Sequence, residues 1–148
     1  MVLNDIFKNI DKYNFNNILD VGCGLGRTLV VAAKYGYRGL FGLDISDKLI
    51  AQCNKNLRGQ TGVNLTVCDA FDYNLPNIDL VVFLFNPFGE DRINSFIQRI
   101  IKNKKDVLVV YHNPVHQPKI LEKYLVDTLV WNHFGMYQEK CNIYHINY

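Results

Sequence analysis

Residues 18–26 read ILDVGCGLG, an apolar run that passes into a turn with glycine at every second position, Gly22, Gly24 and Gly26. Ile18, Leu19 and Val21 suit a strand buried on both faces, and the glycines remove each Cβ that would hold the backbone away from a bound molecule. Thr28 to Lys34 continues as a helix whose first N–H groups face the same spot, so strand, turn and helix N-terminus form a nucleotide-binding corner. A second apolar segment, Gly39 to Leu43, ends at Asp44. The separation of Asp44 from the glycines is close to the roughly 20 residues expected of an acid that accepts hydrogen bonds from ribose hydroxyls.

The third glycine discriminates between nucleotides. A dinucleotide fingerprint, G-x-G-x-x-G, needs glycine where this chain has Arg27, and no Gly-Lys-Ser/Thr sequence supplies a phosphate loop. NAD binding and nucleoside triphosphate hydrolysis are therefore disfavoured. At Asp20, Gly22, Gly24 and Gly26 the chain resembles the class I S-adenosylmethionine-dependent methyltransferases, and the resemblance runs over nearly its whole length. It implies that the glycine turn, with Asp20 and Cys23, holds the amino acid part of the cofactor. Asp44, with Ile45 beside it, takes the ribose diol. Asp69 in VCDAFDY, with Ala70, faces the adenine edge, and Asn86-Pro87-Phe88 after the fourth strand borders cofactor and acceptor.

Methyl transfer from a sulfonium is a direct displacement with an activated donor, so alignment supplies most of the catalysis, on the order of 7 to 11 kcal/mol. A base matters only where the acceptor must lose a proton. Two candidates stand out. In related enzymes that methylate amino groups, an Asn/Asp-Pro-Pro-Tyr/Phe motif holds the amine through its amide oxygen and stacks the ring on the acceptor. Here the sequence is Asn86-Pro87-Phe88, without the second proline, and a tight turn with Phe88 packed on cofactor or protein is the alternative. His112 follows the fifth strand at the crevice end, where an imidazole can serve as general base for a hydroxyl. A loop histidine that merely hydrogen-bonds is the plainer reading. His116 is separated from it by Pro114, no carboxylate or cysteine stands at metal-ligand spacing, and no metal is assigned. His133 and His145, in or beside the late strands, read as structural, and so do most of the C-terminal aromatics, among them Trp131, Phe134, Tyr137, Tyr144 and Tyr148.

The 148 residues, 49% hydrophobic and 20% charged, suit one core and one domain, residues 1–148, with a leading helix in 1–13. No apolar run approaches membrane-spanning length, no secretion leader is visible, and the four scattered cysteines read as free thiols, all consistent with a cytoplasmic enzyme. A net charge of +2 does not indicate nucleic acid, and Lys102, Lys104 and Lys105 lie where the fifth strand starts, away from the crevice.

Leu3, Ile6, Phe7 and Ile10 give the leading helix one apolar stripe. Strands are expected at Asn17–Val21, Gly39–Leu43, Asn64–Val67, Asp79–Phe85 and Val107–Tyr111, with later ones near Thr128–Asn132 and Cys141–Tyr148. Ser46 should cap a helix running towards Leu57, and further helices are expected over Asp91–Lys102 and Pro118–Leu125. This alternation predicts an α/β fold. The resemblance makes it a three-layer α/β/α Rossmann-like sheet, mostly parallel, with an antiparallel last strand between the fifth and sixth. No lid or substrate domain is evident, so the acceptor meets an open cleft, a partner chain completes the pocket, or further segments of the protein lie outside this sequence. The acceptor is undetermined. A small metabolite or saccharide hydroxyl is preferred, with an amino group of protein or base as the alternative through Asn86-Pro87-Phe88. An inactive cofactor-binding subunit is a third possibility.

Overall fold

In the computed structural model, which describes residues 2–147, the apolar runs pair into one seven-stranded sheet. The elements are α1 (Val2–Ile10), β1 (Asn17–Val21), α2 (Arg27–Lys34), β2 (Gly39–Asp44), α3 (Asp47–Asn56), β3 (Val63–Val67), β4 (Leu80–Leu84), α4 (Glu90–Lys102), β5 (Val107–His112), β6 (Leu125–His133) and β7 (Tyr137–Ile146). Strand order is β3-β2-β1-β4-β5-β7-β6. β1 to β5 are parallel, whereas β7 runs antiparallel to β5 and to β6 and is inserted between them. The order reverses between β1 and β4, and a crevice opens at the carboxyl ends of these strands.

β4 and β5 are buried along their whole length, as central parallel strands covered on both faces must be. Alternate residues serve opposite layers. Ile18, Val81, Leu108, Val110 and Ile143 meet α1, α2 and α3 through residues such as Phe7, Leu29 and Cys53. Leu19, Val82, Val109 and Tyr144 meet the Ile93, Phe96, Ile97 and Ile100 stripe of α4. The leading helix buries Ile6, Phe7 and Ile10, as its spacing predicts. It is tied to β6 by Trp131 Nε1 donating to Asp5 Oδ2 at 2.9 Å and Asn9 Nδ2 donating to Asp127 Oδ2 at 2.8 Å.

Ser46 caps α3, its Oγ accepting from Leu49 N–H at 3.2 Å. The helix expected over Pro118–Leu125 is instead a 3-10 segment, Lys119–Tyr124. Six residues between Pro118 and the start of β6 leave too little chain for the costly nucleus of an α-helix. The late strands are longer than expected and form one hairpin; Tyr148 lies outside the described residues. The lysine cluster sits at the amino end of β5, opposite the crevice. No helix among the described residues is long and apolar enough to cross a membrane.

Candidate active site

The glycine turn is held from both sides. Gly22 and Cys23 donate to Leu43 O at 2.8 and 2.9 Å, Gly26 N–H donates to Cys23 O at 2.9 Å, and Gly24 N–H donates to Asp44 Oδ2 at 3.1 Å. The other oxygen of Asp44 accepts from Ser46 N–H at 3.0 Å. Gly26 has a φ of +85°, and a Cβ there would lie 2.5 Å from Cys53 Sγ, so position 26 admits glycine alone. At Gly24, φ is +52° and a Cβ would meet nothing within 4 Å, so the turn presents bare backbone to open space. Four of its N–H groups are already spent inside the protein. That leaves a poor cradle for a pyrophosphate and suits a ligand without one.

Two cavities meet at Gly22. The smaller, about 270 Å³, contains Asp44, Ile45, Asp69, Ala70, Pro87 and Phe88 in its walls. Asp69 is engaged by the first turn of α4: Arg92 Nη2 lies 2.8 and 2.9 Å from its two oxygens, and Phe71 N–H donates to it at 3.0 Å. These bonds, that from Phe71 first, hold the Asp69 carboxyl below the ordinary carboxylate range. The Arg92 guanidinium also lies 4.2 Å over the Phe71 ring, and Phe88 packs against Phe71 and Phe96. Pro87 and Phe88 therefore line the cavity of Asp44 and Asp69, with Pro87 beside Gly22 where the two cavities meet.

The larger cavity, about 520 Å³, lies on the α1 side of the sheet, between Val2 and Leu3 of the helix and the strand ends. Period-two alternation selects what faces it: Ile18 and Asp20, Val81 and Phe83, Val110 and His112, Cys141 and Glu139 share this face. Asp20 is 5% exposed, and burial raises its carboxyl to about 7. A hydrogen bond from Thr28 opposes that rise, and the charge of Asp44 adds to it. Cys23 borders the same cavity, its thiol pushed up by burial.

At the far wall His112, 8% exposed, donates from Nε2 to Glu139 Oε1 at 2.5 Å, while His133 donates from Nε2 to Glu139 Oε2 at 2.8 Å. Burial alone would raise Glu139, but the bonds from the two histidines outweigh it and hold its carboxyl below the ordinary value. The ionised carboxylate fixes His112 in the tautomer that carries its proton on Nε2. Nδ1 of His112 has no protein partner and is not sealed from solvent, and the residue borders the cavity. His133, read from sequence as structural, thus belongs to this cluster. His145 does not: it pairs with Asp106 at the opposite end of the sheet. No three His, Cys, Asp or Glu side chains among the described residues converge as a metal ion requires.

Asn86 has a φ of +43°, and its amide clips two loops together. Its Oδ1 accepts from Tyr111 Oη at 3.2 Å and Val115 N–H at 2.9 Å, and its Nδ2 donates to Asn113 O. The oxygen that would receive an acceptor amine is taken twice. Arg92 and Glu139 escaped the sequence reading, since neither stands in a motif and both reach the site only through pairing of distant elements.

The donor set fits S-adenosylmethionine: a carboxylate beside the glycine turn for the ribose, an acid at the adenine end, and α2's first N–H groups with Asp20 and Thr28 for an amino acid tail. Asp44→Ala is expected to raise the dissociation constant of S-adenosylhomocysteine at least about tenfold, because bonds to a charged group are worth about 1.5 to 3 kcal/mol each. Calorimetric titration beside NAD reads the effect, and an unchanged constant in a folded variant would remove Asp44 from the site.

Residues 18–107 match the family described as Methyltransferase domain. No curated protein matches the sequence. Among solved structures, magnesium protoporphyrin IX methyltransferase from Synechocystis PCC 6803 with bound S-adenosylmethionine is similar at 13% identity and a TM-score of 0.74, covering 99% of this chain and 78% of that one. The RNA methyltransferase from Salinibacter ruber in complex with S-adenosylhomocysteine gives 18% and 0.70, covering 99% and 90%. The N-methyltransferase NodS from Bradyrhizobium japonicum WM9 gives 12% and 0.72, covering 98% and 96%. At such identities these likenesses speak for the fold. The family match spans more than half of the chain and contains the glycine turn, Asp44 and Asp69, and with it the protein belongs to the class I S-adenosylmethionine-dependent methyltransferases.

Proposed function

We propose that the protein methylates an acceptor hydroxyl, with His112 as the general base. The observation that carries this reading is the pairing of His112 Nε2 with Glu139 while Nδ1 stays unpartnered in a residue that borders the cavity. When bound, S-adenosylmethionine supplies a methyl group on a cationic sulfur, which keeps the carbon–sulfur electron pair and becomes a neutral thioether as the methyl passes to the acceptor oxygen. His112 takes the hydroxyl proton at Nδ1, and Glu139 stabilises the imidazolium that results. Asp44 and Asp69 orient the nucleoside, and Asp20 with Thr28 meets the amino acid tail. Transfer to an amine would lean on the Asn86 amide oxygen, which already accepts two protein hydrogen bonds.

The test is a reaction of the purified chain with carbon-13 methyl donor and the small-molecule fraction of a lysate, followed by methyl-carbon resonance. Signals of methyl bound to oxygen, stable to mild acid, are expected. Signals of methyl bound to nitrogen alone would reassign the protein to amino acceptors.

A further inference from the structure

We infer that the acceptor is a flat, largely apolar molecule carrying a phenolic hydroxyl. The inference rests on the hydroxyl reading above and narrows it, and it comes from counting which polar atoms of the acceptor end remain free.

Around His112 nearly every polar side-chain atom is already spent. Both oxygens of Glu139 are held by histidines. The Asn86 amide is bonded on both its oxygen and its nitrogen, and Asn113 Oδ1 accepts from Lys140 N–H at 3.1 Å. What remains is His112 Nδ1 and the amide nitrogen of Asn113, one acceptor and one donor. Asp20, Thr28 and Arg27 border the same cavity but cluster at the glycine turn, where the amino acid tail of the cofactor is expected.

The other walls here are Phe83, Phe85 and Leu3. Phe85 is 55% exposed, so an apolar ring stands open at the mouth. The Phe85 ring lies 5.0 Å from that of His112, tilted by 60°, so an aromatic face borders the base. A saccharide placed here would leave several hydroxyls without partners, and each unmatched polar group loses its water without compensation. A planar ring lies against Phe85 and presents one hydroxyl to Nδ1, with an adjacent oxygen within the chemistry of the Asn113 amide.

Acidity points the same way. A phenolic hydroxyl ionises about six pH units more readily than water, so an imidazole removes its proton far more easily than that of a saccharide or alkyl alcohol.

The experiment compares catechol, cyclohexanol, methyl glucoside and aniline as acceptors of a labelled methyl group. Catechol is expected to exceed cyclohexanol and methyl glucoside in kcat/KM by at least about a hundredfold. Cyclohexanol tests acidity at similar bulk, and methyl glucoside tests the polar inventory. Methylation of either at the rate of catechol, or no transfer to catechol by a chain that binds S-adenosylhomocysteine, would overturn the inference. Transfer to methyl glucoside at the rate of catechol that depends on His112 would overturn it while leaving the hydroxyl reading intact; transfer to aniline with all three hydroxyl compounds inert would remove both. Phe85→Ala removes an exposed ring and should raise KM for catechol about tenfold with the cofactor dissociation constant unchanged. An unaltered KM would exclude stacking on Phe85.

Discussion

Replacing His112 with glutamine is expected to lower kcat for a hydroxyl acceptor by about 100- to 10,000-fold, the contribution of a positioned general base. The dissociation constant of S-adenosylhomocysteine should stay within about twofold. Glutamine is chosen because its amide nitrogen can keep the bond to Glu139, while its amide oxygen does not take up a proton near neutrality. A collapse of the hairpin is thereby separated from loss of the base. Glu139→Gln should cost less, since the imidazole survives but loses the carboxylate that fixes its tautomer and stabilises its cation. Because the histidine bonds hold the Glu139 carboxyl below its ordinary value, the clamp itself stays ionised through the neutral range and fails only as pH falls into the acid range. Wild-type kcat in the glutamine variant would show that alignment alone drives transfer and that His112 is a wall residue.

What could be read from the sequence is what local spacing encodes. The glycine turn and Asp44 lie on consecutive elements joined by a short helix, and their bond, Gly24 N–H to Asp44 Oδ2, spans only 20 residues. Asp69 follows the next strand by the same logic. Glu139 has no such signature. It faces His112 because β7 turns back antiparallel between β5 and β6, pairing His112 with Cys141 and leaving Glu139 two residues away on the same face. The order of the last three strands came from family resemblance, since alternation of apolar residues alone does not choose it. Arg92 is similar: an exposed cation in a first helical turn is unremarkable until α4 packs its Ile93 and Phe96 against the sheet and brings the guanidinium over Asp69. Asn86 shows the opposite case, a motif with the expected residue type whose amide is used to join two loops.

Asp20→Asn is expected to raise the melting temperature of the ligand-free chain at pH 8 by on the order of 10 °C and to leave it unchanged near pH 4. The carboxyl is buried among apolar strands with Thr28 as its hydrogen-bond partner and Asp44 as a like charge nearby, and its value is raised to about 7. Unfolded, it titrates in the ordinary carboxylate range. Between about pH 4 and pH 7 the folded chain therefore keeps a proton that the unfolded chain has lost, so stability falls as pH rises through this window and the penalty is complete above it. A displacement of that size corresponds to about 4 kcal/mol, and each kcal/mol moves the transition of a chain of this length by about 2 to 4 °C. Asparagine keeps the shape and the bond to Thr28 without the charge. The same burial has a use. The cationic amino group expected beside Asp20 in the complex favours its ionised form, so wild-type affinity for S-adenosylhomocysteine should rise with pH up to about 7 with release of a proton. Asp20→Asn should bind at least about tenfold more weakly at pH 8 and show no such rise. Equal melting temperatures at pH 8, with equal affinities, would mean that Asp20 ionises in the ligand-free chain without cost and does not meet the cofactor.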